Sequence, residues 1–398
     1  MDYSSMLDTD VPSFASMLSD KKDTYKLWPT EGEMLALIDA DLLPYKVGFT
    51  VDSMDEFSAR RTVELGFASC IQETPQFIDA VNQLNWLINH WVNVAKADSA
   101  ILYLTDAPNQ YRHRVAITEK YKGERDGKDK PPFFYELKRY LITEHNAIVA
   151  TKNEADDLIS IRLNDCNREL EAQGIILGSQ THHDFCDVVA VSIDKDIPIT
   201  TGLHCNPDTQ KIQFVTPLGE LTPKYNKSEI NHYEYWPTIK GIPTNPSSIN
   251  AAQEKLIDVF SRGANKGTRK TKRVLIGKKP STAIDKLYGT GLKFFYSQLI
   301  TGDEVDCYSG LKGKGAKFAY ELLDTAKSEQ ELFNLVHDAY RDYYGESLLQ
   351  ARDWRGGFHT VGFIELLGEQ GNLAWMQSRP NELWSDTKGI PCSWRKRK

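Results

Sequence analysis

The stretch VVAVSIDKD, residues Val188–Asp196, is an apolar run that ends in two aspartates, and its apolar part has the pattern of a buried strand. Two earlier stretches have the same form. Met34–Ile38 leads into Asp39, and Ala100–Leu104 leads into Asp106. When such strands alternate with helices they form a largely parallel sheet, and functional sites lie at the carboxyl ends of its strands.

Helical patterns lie between these strands. Thr74 and Pro75 are typical N-cap and first-turn residues, and apolar residues follow at helical spacing as far as Trp91. A second helix is predicted over Phe133–Glu144, and a short strand is predicted over Asn146–Ala150. The sequence therefore predicts an α/β fold with a mostly parallel central sheet flanked by helices.

The composition is that of a folded, water-soluble protein. Hydrophobic residues make up 40% of the 398 residues and charged residues 26%, which excludes wholesale disorder and collagen-like repeats. The sequence has no apolar run near the roughly 18 residues that cross a bilayer, and it begins without a signal-peptide pattern. Six cysteines without a CxxC pair favour reduced thiols. We therefore expect a cytoplasmic protein with no membrane partner.

Positive charge is concentrated in two strips of an otherwise acidic chain. The formal net charge is -7, yet eight basic residues and no acidic one lie between Asp258 and Asp285. Four more basic residues form the tail, Arg395–Lys398, and without these twelve the rest of the chain carries -19. The strips favour a polyanionic partner, although a solvated loop or tail would explain either strip taken alone.

Acidic residues follow the predicted strands, at positions that a parallel sheet brings to one edge. A single aspartate after a strand is commonly a turn former or a helix N-cap. Four groups, which include the cluster Glu154–Asp157, would repel one another unless hard divalent cations lay among them. Two Mg²⁺ or Mn²⁺ ions about 4 Å apart promote in-line attack of water on a phosphodiester. The pattern predicts such a metal site.

A later segment joins carboxylates to glycines. Gly302–Asp306 is acidic, and Gly310–Lys317 alternates glycine with lysine. The glycine spacing fits neither a P-loop nor the dinucleotide-binding fingerprint. Because the apolar stretch Phe318–Leu323 follows, the segment indicates a helix-hairpin-helix element whose backbone N–H groups approach a phosphate. An ordinary turn between two helices is the alternative.

Taken in order, these motifs resemble those of the flap endonuclease and 5′→3′ exonuclease family, and in detail the exonucleases of short-tailed phages that degrade duplex DNA from 5′ ends. The resemblance covers about residues 35–325. It implies a PIN-like nuclease core with a helix-hairpin-helix (helix-three-turn-helix) DNA-binding subdomain. The matching stretches are Ile38–Asp39, Thr105–Asp106, Tyr121–Arg125, Glu154–Asp157, Ser192–Asp196, Gly302–Asp306 and Tyr308–Gly310.

The resemblance implies two Mg²⁺ or Mn²⁺ ions in one active site. The ion engaged in water activation and phosphate binding would be surrounded by Asp39, Asp106, Glu154, Asp156 and Asp157. The second ion would be held by Asp194, Asp196, Asp303 and Asp306. Asp156 and Asp194 are implied to be essential for catalysis.

The resemblance also implies cations that contact DNA. Lys122, counted with Arg125 as catalytic, would stabilise charge on the phosphate, and Arg112 and Arg125 would steer the strand. In this family the segment at residues 111–145 forms a gateway for a 5′ strand. The hairpin would grip duplex DNA, and in relatives it often holds K⁺. Its implied DNA-binding residues are Gly310, Lys312, Gly313, Lys314, Gly315 and Lys317.

We divide the chain into five segments: a leader at 1–30 that is mobile or packed late, a nuclease core with its gateway at 31–235, a basic insertion at 236–285, the helix-hairpin-helix subdomain at 286–350, and a Trp-rich segment with a basic tail at 351–398. The insertion fits a clamp, a partner site or disorder. The tryptophans Trp354, Trp375, Trp384 and Trp394 favour packing over base stacking.

The sequence thus predicts a metal-dependent 5′→3′ exonuclease of duplex DNA, and of RNA in RNA–DNA hybrids, that releases 5′-phosphorylated products in phage DNA replication. Phage replication proteins would be partners, and the location would be the host cytoplasm. A 5′ flap endonuclease is the first alternative. A DNA-binding protein without catalysis is disfavoured, because clustered carboxylates with no metal only destabilise a fold.

A group of histidines and cysteines raises a further alternative, a zinc site. These residues are His182, His183, Cys186, His204 and Cys205. Their spacing is irregular and the strand that starts at Val188 explains the neighbourhood, so zinc is disfavoured. A Ser-His-Asp or Cys-His hydrolase is disfavoured too, because the sequence has no nucleophile elbow.

Overall fold

The structure, a computed structural model, describes residues 32–106, 110–125, 127–226 and 228–391. The chain forms two units: the first runs up to Thr222 and resumes at Tyr288, and the second spans Pro223–Leu287. The leader at 1–30, Trp394 and the basic tail Arg395–Lys398 lie outside the described residues. None of the helices in these ranges is long and apolar enough to cross a membrane.

A six-stranded sheet forms the centre of the first unit. Its strands are β1 (Leu35–Asp39), β2 (Ser99–Thr105), β3 (Ile148–Ala150), β4 (Val188–Val191), β5 (Gly202–Asn206) and β6 (Lys211–Val215). The spatial order is β3-β2-β1-β4-β5-β6. All neighbours pair in parallel except β5 and β6. The mostly parallel sheet expected from the sequence is therefore confirmed.

Helices cover both faces of this sheet. Successive residues of a strand point to opposite faces. In β1, accordingly, Ala36 and Ile38 belong to one buried core, and Leu35 and Leu37 belong to another. This explains why β1 is apolar throughout rather than alternating. The helices of this part are α1 (Leu42–Gly48), α2 (Ser53–Glu64), α3 (Pro75–Val94), α4 (Tyr111–Val115), α5 (Phe134–Thr143), α6 (Ala155–Ala172) and α7 (Gln180–Phe185).

The second unit is built around an antiparallel β-ribbon. Its elements are β8 (Glu229–Ile239), β9 (Ile242–Pro243), α8 (Ala251–Glu254) and β10 (Thr271–Pro280), in the sheet order β10-β8-β9. The chain enters the unit along β7 (Leu221–Tyr225) and leaves it along β11 (Ile284–Gly289), and these two strands pair with each other. The unit contains the segment 236–285 that the sequence marks as a basic insertion.

Helices and one hairpin complete the first unit. They are α9 (Gly291–Thr301), α10 (Ala316–Leu323), α11 (Glu329–Tyr344), β12 (Leu349–Arg352), β13 (Phe358–Val361), α12 (Phe363–Ala374) and α13 (Trp384–Thr387). Trp384 is fully buried, and its ring lies 5.6 Å from the ring of Phe295. Trp375 packs against the same phenylalanine at 5.1 Å. These two tryptophans therefore pack against the interior of the protein, as expected from the sequence.

A glycine-dependent turn joins α9 to α10, as the helix-hairpin-helix prediction requires. Asp303 and Tyr308 exchange two backbone hydrogen bonds, at 2.8 and 3.1 Å. Gly302 has a φ of +70°, and a Cβ built there would lie 2.5 Å from the carbonyl oxygen of Tyr308. Gly310 has a φ of +56°, and its Cβ would lie 2.5 Å from the backbone nitrogen of Gly302. Only glycine fits at these two positions.

Candidate metal and phosphate site

The carboxyl ends of the parallel strands bring the expected carboxylates to one edge of the sheet. Asp39 is the last residue of β1, and Asp106 directly follows β2, where its N–H donates to the carbonyl of Ala150 at 3.0 Å. Glu154 caps α6, which begins after β3, and Asp194 lies in the turn after β4. This is the arrangement that the alternation of strands and helices predicts.

Asp39 lies in a buried and negatively charged position. The Ser192 hydroxyl donates to its Oδ2 at 3.1 Å, and the N–H of Asp41 donates to its Oδ1 at 3.3 Å. Burial and the negative charges of Asp41 and Asp194 raise the pKa of Asp39 to about 8, despite these hydrogen bonds. The carboxyl is therefore poised to exchange a proton for a cation near neutral pH.

The turn after β4 adds two further carboxylates. The N–H of Asp194 donates to Ser192 Oγ at 3.0 Å, and the N–H of Asp196 donates to Asp194 Oδ1 at 2.9 Å. Asp194 is exposed, whereas Asp196 is buried and accepts a hydrogen bond from Gln298 at 2.5 Å. Burial and the charges of Asp194, Asp303 and Asp306 raise the pKa of Asp196 to about 7, although Lys195 opposes the rise.

Asp303 links this turn to the glycine-rich hairpin. It is 5% exposed and forms an ion pair with Lys195. Its Oδ1 accepts the N–H of Val305 at 2.8 Å. Because Asp196 and Asp303 interact electrostatically, the carboxylates from β4 and from the hairpin belong to one continuous group.

Glu154 is the centre of a cluster rich in positive charge. Its oxygens accept hydrogen bonds from Lys122 Nζ at 2.6 Å, Tyr121 Oη at 2.9 Å and Arg112 Nη1 at 3.1 Å. Burial alone would raise the pKa of Glu154, but the charges of Lys122 and Arg112 and these hydrogen bonds lower it to about 2. Glu154 is therefore ionised at all ordinary pH values.

Two more carboxylates flank Glu154. Asp306 accepts from Tyr121 Oη at 3.1 Å and pairs with Arg125 at 3.2 Å, and its oxygen lies 3.8 Å from Lys122 Nζ. Burial is the main cause that raises the pKa of Asp306. Asp156 lies in the first turn of α6, and burial together with the charge of Glu154 raises its pKa well above the usual value.

Lys122 has an unusual backbone and a strongly bound ammonium. Its φ is +54°, and its N–H donates to the carbonyl of Asp306 at 3.1 Å, which holds this left-handed conformation in place. Burial would lower its pKa, but the charges of Glu154, Asp306 and Asp156 raise it. Lys122 is therefore a permanent cation beside the carboxylates. Arg125, by contrast, is 51% exposed in its side chain and lies at the open rim.

Arg112 and Asp157 form a buried ion pair behind these carboxylates. Arg112 donates to both oxygens of Asp157, at 2.6 and 2.9 Å, and its Nη1 also reaches Glu154 at 3.1 Å. Its Nε donates to the carbonyl of Leu373 at 3.0 Å, and its Nη2 donates to the carbonyl of Trp375 at 2.7 Å. All five donors of the guanidinium thus have partners, and the residue is 1% exposed.

Asp157 is equally enclosed. It is 0% exposed, and its oxygens also accept the N–H groups of Glu154 at 3.0 Å and Gln377 at 3.2 Å. The sequence placed Arg112 on a DNA strand and Asp157 on a metal ion. The structure gives both a different position, because a guanidinium without exposed surface has no access to a strand and both Asp157 oxygens are held by Arg112.

The C-terminal helix α12 holds the segment that carries Lys122. Glu369 is 1% exposed, and one of its oxygens accepts the N–H of Ile117 at 2.7 Å, the N–H of Thr118 at 2.8 Å and the Thr118 hydroxyl at 3.0 Å. The Trp354 indole N–H donates to the carbonyl of Ala116 at 3.1 Å. The Trp-rich segment therefore braces the backbone at residues 116–118, a role for which the sequence shows no motif.

Sequence reasoning also missed residues of the site itself. Tyr121 is 1% exposed and bridges Glu154 and Asp306, and its only sequence signal is its place directly before Lys122. Gln298 contacts Asp196 through Nε2, while its Oε1 is buried and has no partner in the described residues. Gln298 is an amide in an apolar helix, with no motif around it.

The carboxylates fit a divalent cation in chemistry and in charge. Carboxylate oxygens are the ligands that Mg²⁺ and Mn²⁺ prefer, and the pKa values of Asp39 and Asp196 are raised first by burial and then by an excess of neighbouring negative charge. Over the four described ranges, no three His, Cys, Asp or Glu side chains lie close enough together to hold a metal ion as they stand. The excess lies on the β1 and β4 side, because protein cations already neutralise Glu154.

The glycine-rich hairpin presents some of its expected DNA-binding residues and buries others. Lys312, Gly313, Gly315 and Lys317 are exposed. Lys314 is half-buried, with its Nζ over the ring of Phe318. Gly310 is buried, and its N–H donates to Gln370 Oε1 at 2.9 Å. The N–H groups of Gly310, Leu311 and Lys314 are therefore committed to the fold, while Lys312, Gly313 and Gly315 are exposed and open to a phosphate.

A cavity of about 410 Å³ opens beside the turn after β4. Asp194, Lys195, His204 and Lys211 are among the residues that line it. His204 Nε2 lies 2.7 Å from the carbonyl oxygen of Thr200, and its Nδ1 is buried without a partner in the described part of the chain. This volume falls within the range of small-molecule sites.

The residues considered for zinc are dispersed among other contacts. The N–H of Gly178 donates to His182 Nδ1 at 2.9 Å, and His182 Nε2 lies 2.9 Å from Asn167 Oδ1. Both ring nitrogens of His182 thus have protein partners. His204 and Cys205 are residues of β5, as the strand pattern of this region suggests.

No protein-family model and no curated protein matches this chain. Fourteen chains of solved structures match it. The bacteriophage T5 D15 protein co-crystallised with metal ions is 14% identical, with 76% of this chain and 84% of that chain covered and a TM-score of 0.34. A mutant T5 5′-exonuclease is 13% identical over 77% and 83%, with a TM-score of 0.32. A T5 flap endonuclease in a pseudo-enzyme–product complex with DNA and metal ions is 12% identical over 85% and 98%, with a TM-score of 0.35. At TM-scores this low, the likeness carries no functional argument.

Proposed function

We propose that this protein is a divalent-metal-dependent nuclease that hydrolyses phosphodiesters from the 5′ ends of duplex DNA. One observation supports the proposal above all. A single edge of the sheet carries two carboxyl groups, Asp39 and Asp196, whose pKa values are raised by burial and by neighbouring carboxylates, and Asp306, which interacts with Asp196, lies 3.8 Å from a fixed cation, Lys122. A phosphodiester hydrolase needs this combination, because metal-bound water is the nucleophile and the phosphate gains negative charge during attack.

The carboxylates divide into two functional groups. Asp39, Asp194 and Asp196 would hold a metal ion most directly, since protein cations do not neutralise them fully. Bound Mg²⁺ or Mn²⁺ would supply a water of lowered pKa and would neutralise the phosphate. We extend the proposal to a two-ion site, whose further ligands would be Asp106, Glu154, Asp156, Asp303 and Asp306.

Lys122 would stabilise the phosphate during cleavage. It remains protonated at all working pH values, and it now lies between Glu154 and Asp306. A phosphate oxygen bound here would replace one of these two carboxylates in the ion pair with the Lys122 ammonium. Arg125 at the open rim would guide the strand toward it, while Arg112 and Asp157 would hold Glu154 in place rather than contact the substrate.

The open part of the hairpin would bind the duplex. Backbone N–H groups beside exposed glycines approach a phosphate closely, and Lys312 and Lys317 add positive charge there. The family resemblance extends the proposal to a K⁺ ion at this hairpin, to RNA in RNA–DNA hybrids as a second substrate, to 5′-phosphorylated products, and to phage replication proteins as partners in the host cytoplasm.

Cleavage of matched substrates tests the proposal. A linear duplex with a labelled 5′ end, a 5′ flap, an RNA–DNA hybrid and a closed circle are each incubated with Mg²⁺ or with EDTA. We expect short labelled products from the linear duplex, no cleavage of the circle and none in EDTA. Release of an intact arm from the flap, with the linear duplex unchanged, would establish the flap endonuclease instead.

Two aspartate variants separate the site from the rest of the surface. Asp194→Asn should abolish cleavage and preserve DNA binding, because it removes a proposed metal ligand. Asp342→Asn is the matched control: Asp342 lies on α11 with 76% of its side chain exposed, and this variant should cleave normally. Cleavage by Asp194→Asn at the rate of Asp342→Asn would refute the site.

A further inference from the structure

The second unit carries concentrated positive charge that the cleavage site does not use. Residues 223–287 contain 13 Lys or Arg and five Asp or Glu, a net charge of +8 within a chain of net charge -7. Two of these cations pair within the unit, Arg269 with Glu254, and Lys278 with Glu229 at 3.8 Å. The acidic residues of this unit are too few to neutralise its remaining lysines and arginines, so the unit is a region of net positive charge in an acidic protein.

The ribbon of β8 and β10 arranges aromatic and basic side chains on one face. Arg273 pairs directly with Tyr235, and Leu275 pairs directly with Tyr233. Directly paired residues of antiparallel strands share a face, and alternate residues of one strand share it too. Lys278, which pairs with Asn231 beyond the bulge at Leu275/Gly277, extends the same face. We name Tyr233, Tyr235, Arg273 and Lys278 the ribbon face.

The aromatic rings of the ribbon face are open to solvent. Tyr235 is 70% exposed, and Tyr233 is 36% exposed. The guanidinium of Arg273 lies 3.6 Å from the centre of the Tyr233 ring, so a flat cation and a flat ring already form one stack. Lys278 keeps 64% of its side chain exposed. Two exposed rings side by side on one strand face, rimmed by cations, form the kind of surface patch that marks interaction sites.

Three kinds of partner match a basic face, and the rings distinguish them. An acidic protein surface would pair with the cations, but its carboxylates offer no flat face for Tyr235 to stack on. Duplex DNA keeps its base faces stacked inside the helix and offers Tyr235 no ring to stack on. Single-stranded nucleic acid offers phosphates to the cations and unstacked base faces to the tyrosines, and this combination is typical of surfaces that bind single strands.

We propose that the ribbon face binds single-stranded nucleic acid, with Arg273 and Lys278 on its phosphates and with a base stacked on Tyr235. The stack of Arg273 on Tyr233 would form the neighbouring platform for a second base. Binding here does not require the metal site, because every residue of the ribbon face belongs to the second unit. The ribbon face would thus recognise a free single-stranded arm of a substrate, whichever way the metal site cuts it.

Fluorescence anisotropy with the full chain in EDTA tests this surface, because no cleavage occurs there. The probes are a labelled oligothymidylate of about 15 nucleotides, long enough for one binding site, and a blunt duplex of equal length. Tyr235→Ala should weaken single-strand binding by about fivefold or more, and Tyr235→Phe, which keeps the ring, should restore it. The control Tyr343→Ala removes a tyrosine that is 40% exposed on α11, and its affinity should equal that of the wild type.

The cations of the ribbon face are tested by salt dependence. Replacing Arg273 and Lys278 with glutamine should make the slope of log K against log salt shallower by about 1.4, since each phosphate contact on a single strand contributes about 0.7. Lys96→Gln is the control, because Lys96 is exposed beside the start of β2, at the opposite end of the sheet from the carboxylates.

Three outcomes would overturn the inference. They are wild-type affinity of Tyr235→Ala for the oligothymidylate, an equal loss for the duplex, and an unchanged salt slope in the double variant. Asp194→Asn distinguishes this failure from failure of the cleavage proposal, because that variant should lose cleavage in Mg²⁺ and keep single-strand binding in EDTA.

Discussion

Replacing Arg112 with lysine distinguishes a brace from a DNA contact. Lysine keeps the positive charge but brings three donors where the guanidinium brings five. The five donors of Arg112 contact Glu154, both oxygens of Asp157, and the carbonyls of Leu373 and Trp375. An ammonium group can satisfy at most three of these acceptors, so at least two are left without their donor.

The expected loss of stability follows from this count. The oxygens of Glu154 and Asp157 keep other donors, so each lost hydrogen bond costs about 0.5–1.5 kcal/mol, and two cost about 1–3 kcal/mol. Removing one partner of a buried ion pair entirely costs about 3–5 kcal/mol, and lysine retains part of the pair. We therefore expect Arg112→Lys to lower the free energy of unfolding by about 2–4 kcal/mol. The rate of cleavage should fall as well, because Arg112 holds Glu154 beside Lys122.

Urea unfolding followed by tryptophan fluorescence measures the stability, and DNA binding in EDTA at several salt concentrations measures phosphate contacts. Arg341→Lys is the matched control, since Arg341 lies on α11 with 38% of its side chain exposed. If Arg112→Lys kept wild-type stability and made the salt dependence of DNA binding shallower, Arg112 would be a phosphate contact and the enclosed ion pair would be refuted.

Three further predictions concern the first unit. Burial lowers the pKa of His204 from 6.5 to about 4, so as pH falls the unfolded state binds a proton before the folded state does. The free energy of unfolding should therefore drop by about 3 kcal/mol between pH 6.5 and pH 4. Urea unfolding curves of His204→Gln should lack most of this drop, and a drop equal to that of the wild type would contradict the prediction. Gly302→Ala should lower the melting temperature in calorimetry and weaken duplex binding, whereas Gly315→Ala, where a Cβ meets open space, should melt like the wild type. Glu369→Gln should lower kcat in the cleavage assay with little change in KM, because Glu369 positions the segment that carries Lys122 without touching DNA. The control is Glu321→Gln, since the Glu321 side chain is 63% exposed, and equal kcat values in the two variants would exclude this role of Glu369.

The sheet and its acidic edge could be predicted because their signals are local. An apolar run followed by an aspartate marks each of three strands in the sequence: β1, β2 and β4. Parallel strands then bring these aspartates to one edge of the sheet. The start of the helix at Pro75 was also predicted to the residue, since Thr74 and a proline mark it, whereas its apolar spacing was followed only to Trp91 and the helix ends at Val94. Local patterns of this kind depend only on residues that are close in the sequence, so distant contacts do not alter what they predict.

The internal structure of the site could not be predicted, because its contacts are distant in sequence. Arg112 lies 45 residues from Asp157 and 261 from Leu373, and no pattern in either neighbourhood marks the partner. Glu369 likewise looks like an ordinary helical surface residue until its contact with Ile117, 252 residues away, is seen. Motif matching assigns a role to each residue type, but burial decides whether the side chain is free to perform it.

The second unit shows a different limit. Its basic run was visible in the sequence, but a solvated loop, a clamp, a partner site and disorder all remained open for it. The strand appears because residues 271–280 pair along their length with Glu229–Ile239, and Tyr233 and Tyr235 come from that distant partner. The ribbon face therefore exists only after pairing, since each strand supplies half of its side chains.

The contacts made by α12 bear on how the protein is made. During synthesis on the ribosome, Arg112 emerges long before Leu373 and Trp375, which lie 261 and 263 residues further along, and Ile117 emerges 252 residues before Glu369. The nascent chain can pair its early strands, but it cannot enclose Arg112 or fix the Lys122 segment until translation nears its end. A chain truncated before α12 would therefore lack the carbonyls of Leu373 and Trp375 that accept from Arg112, and it would lack the carboxylate of Glu369 that holds the backbone at Ile117.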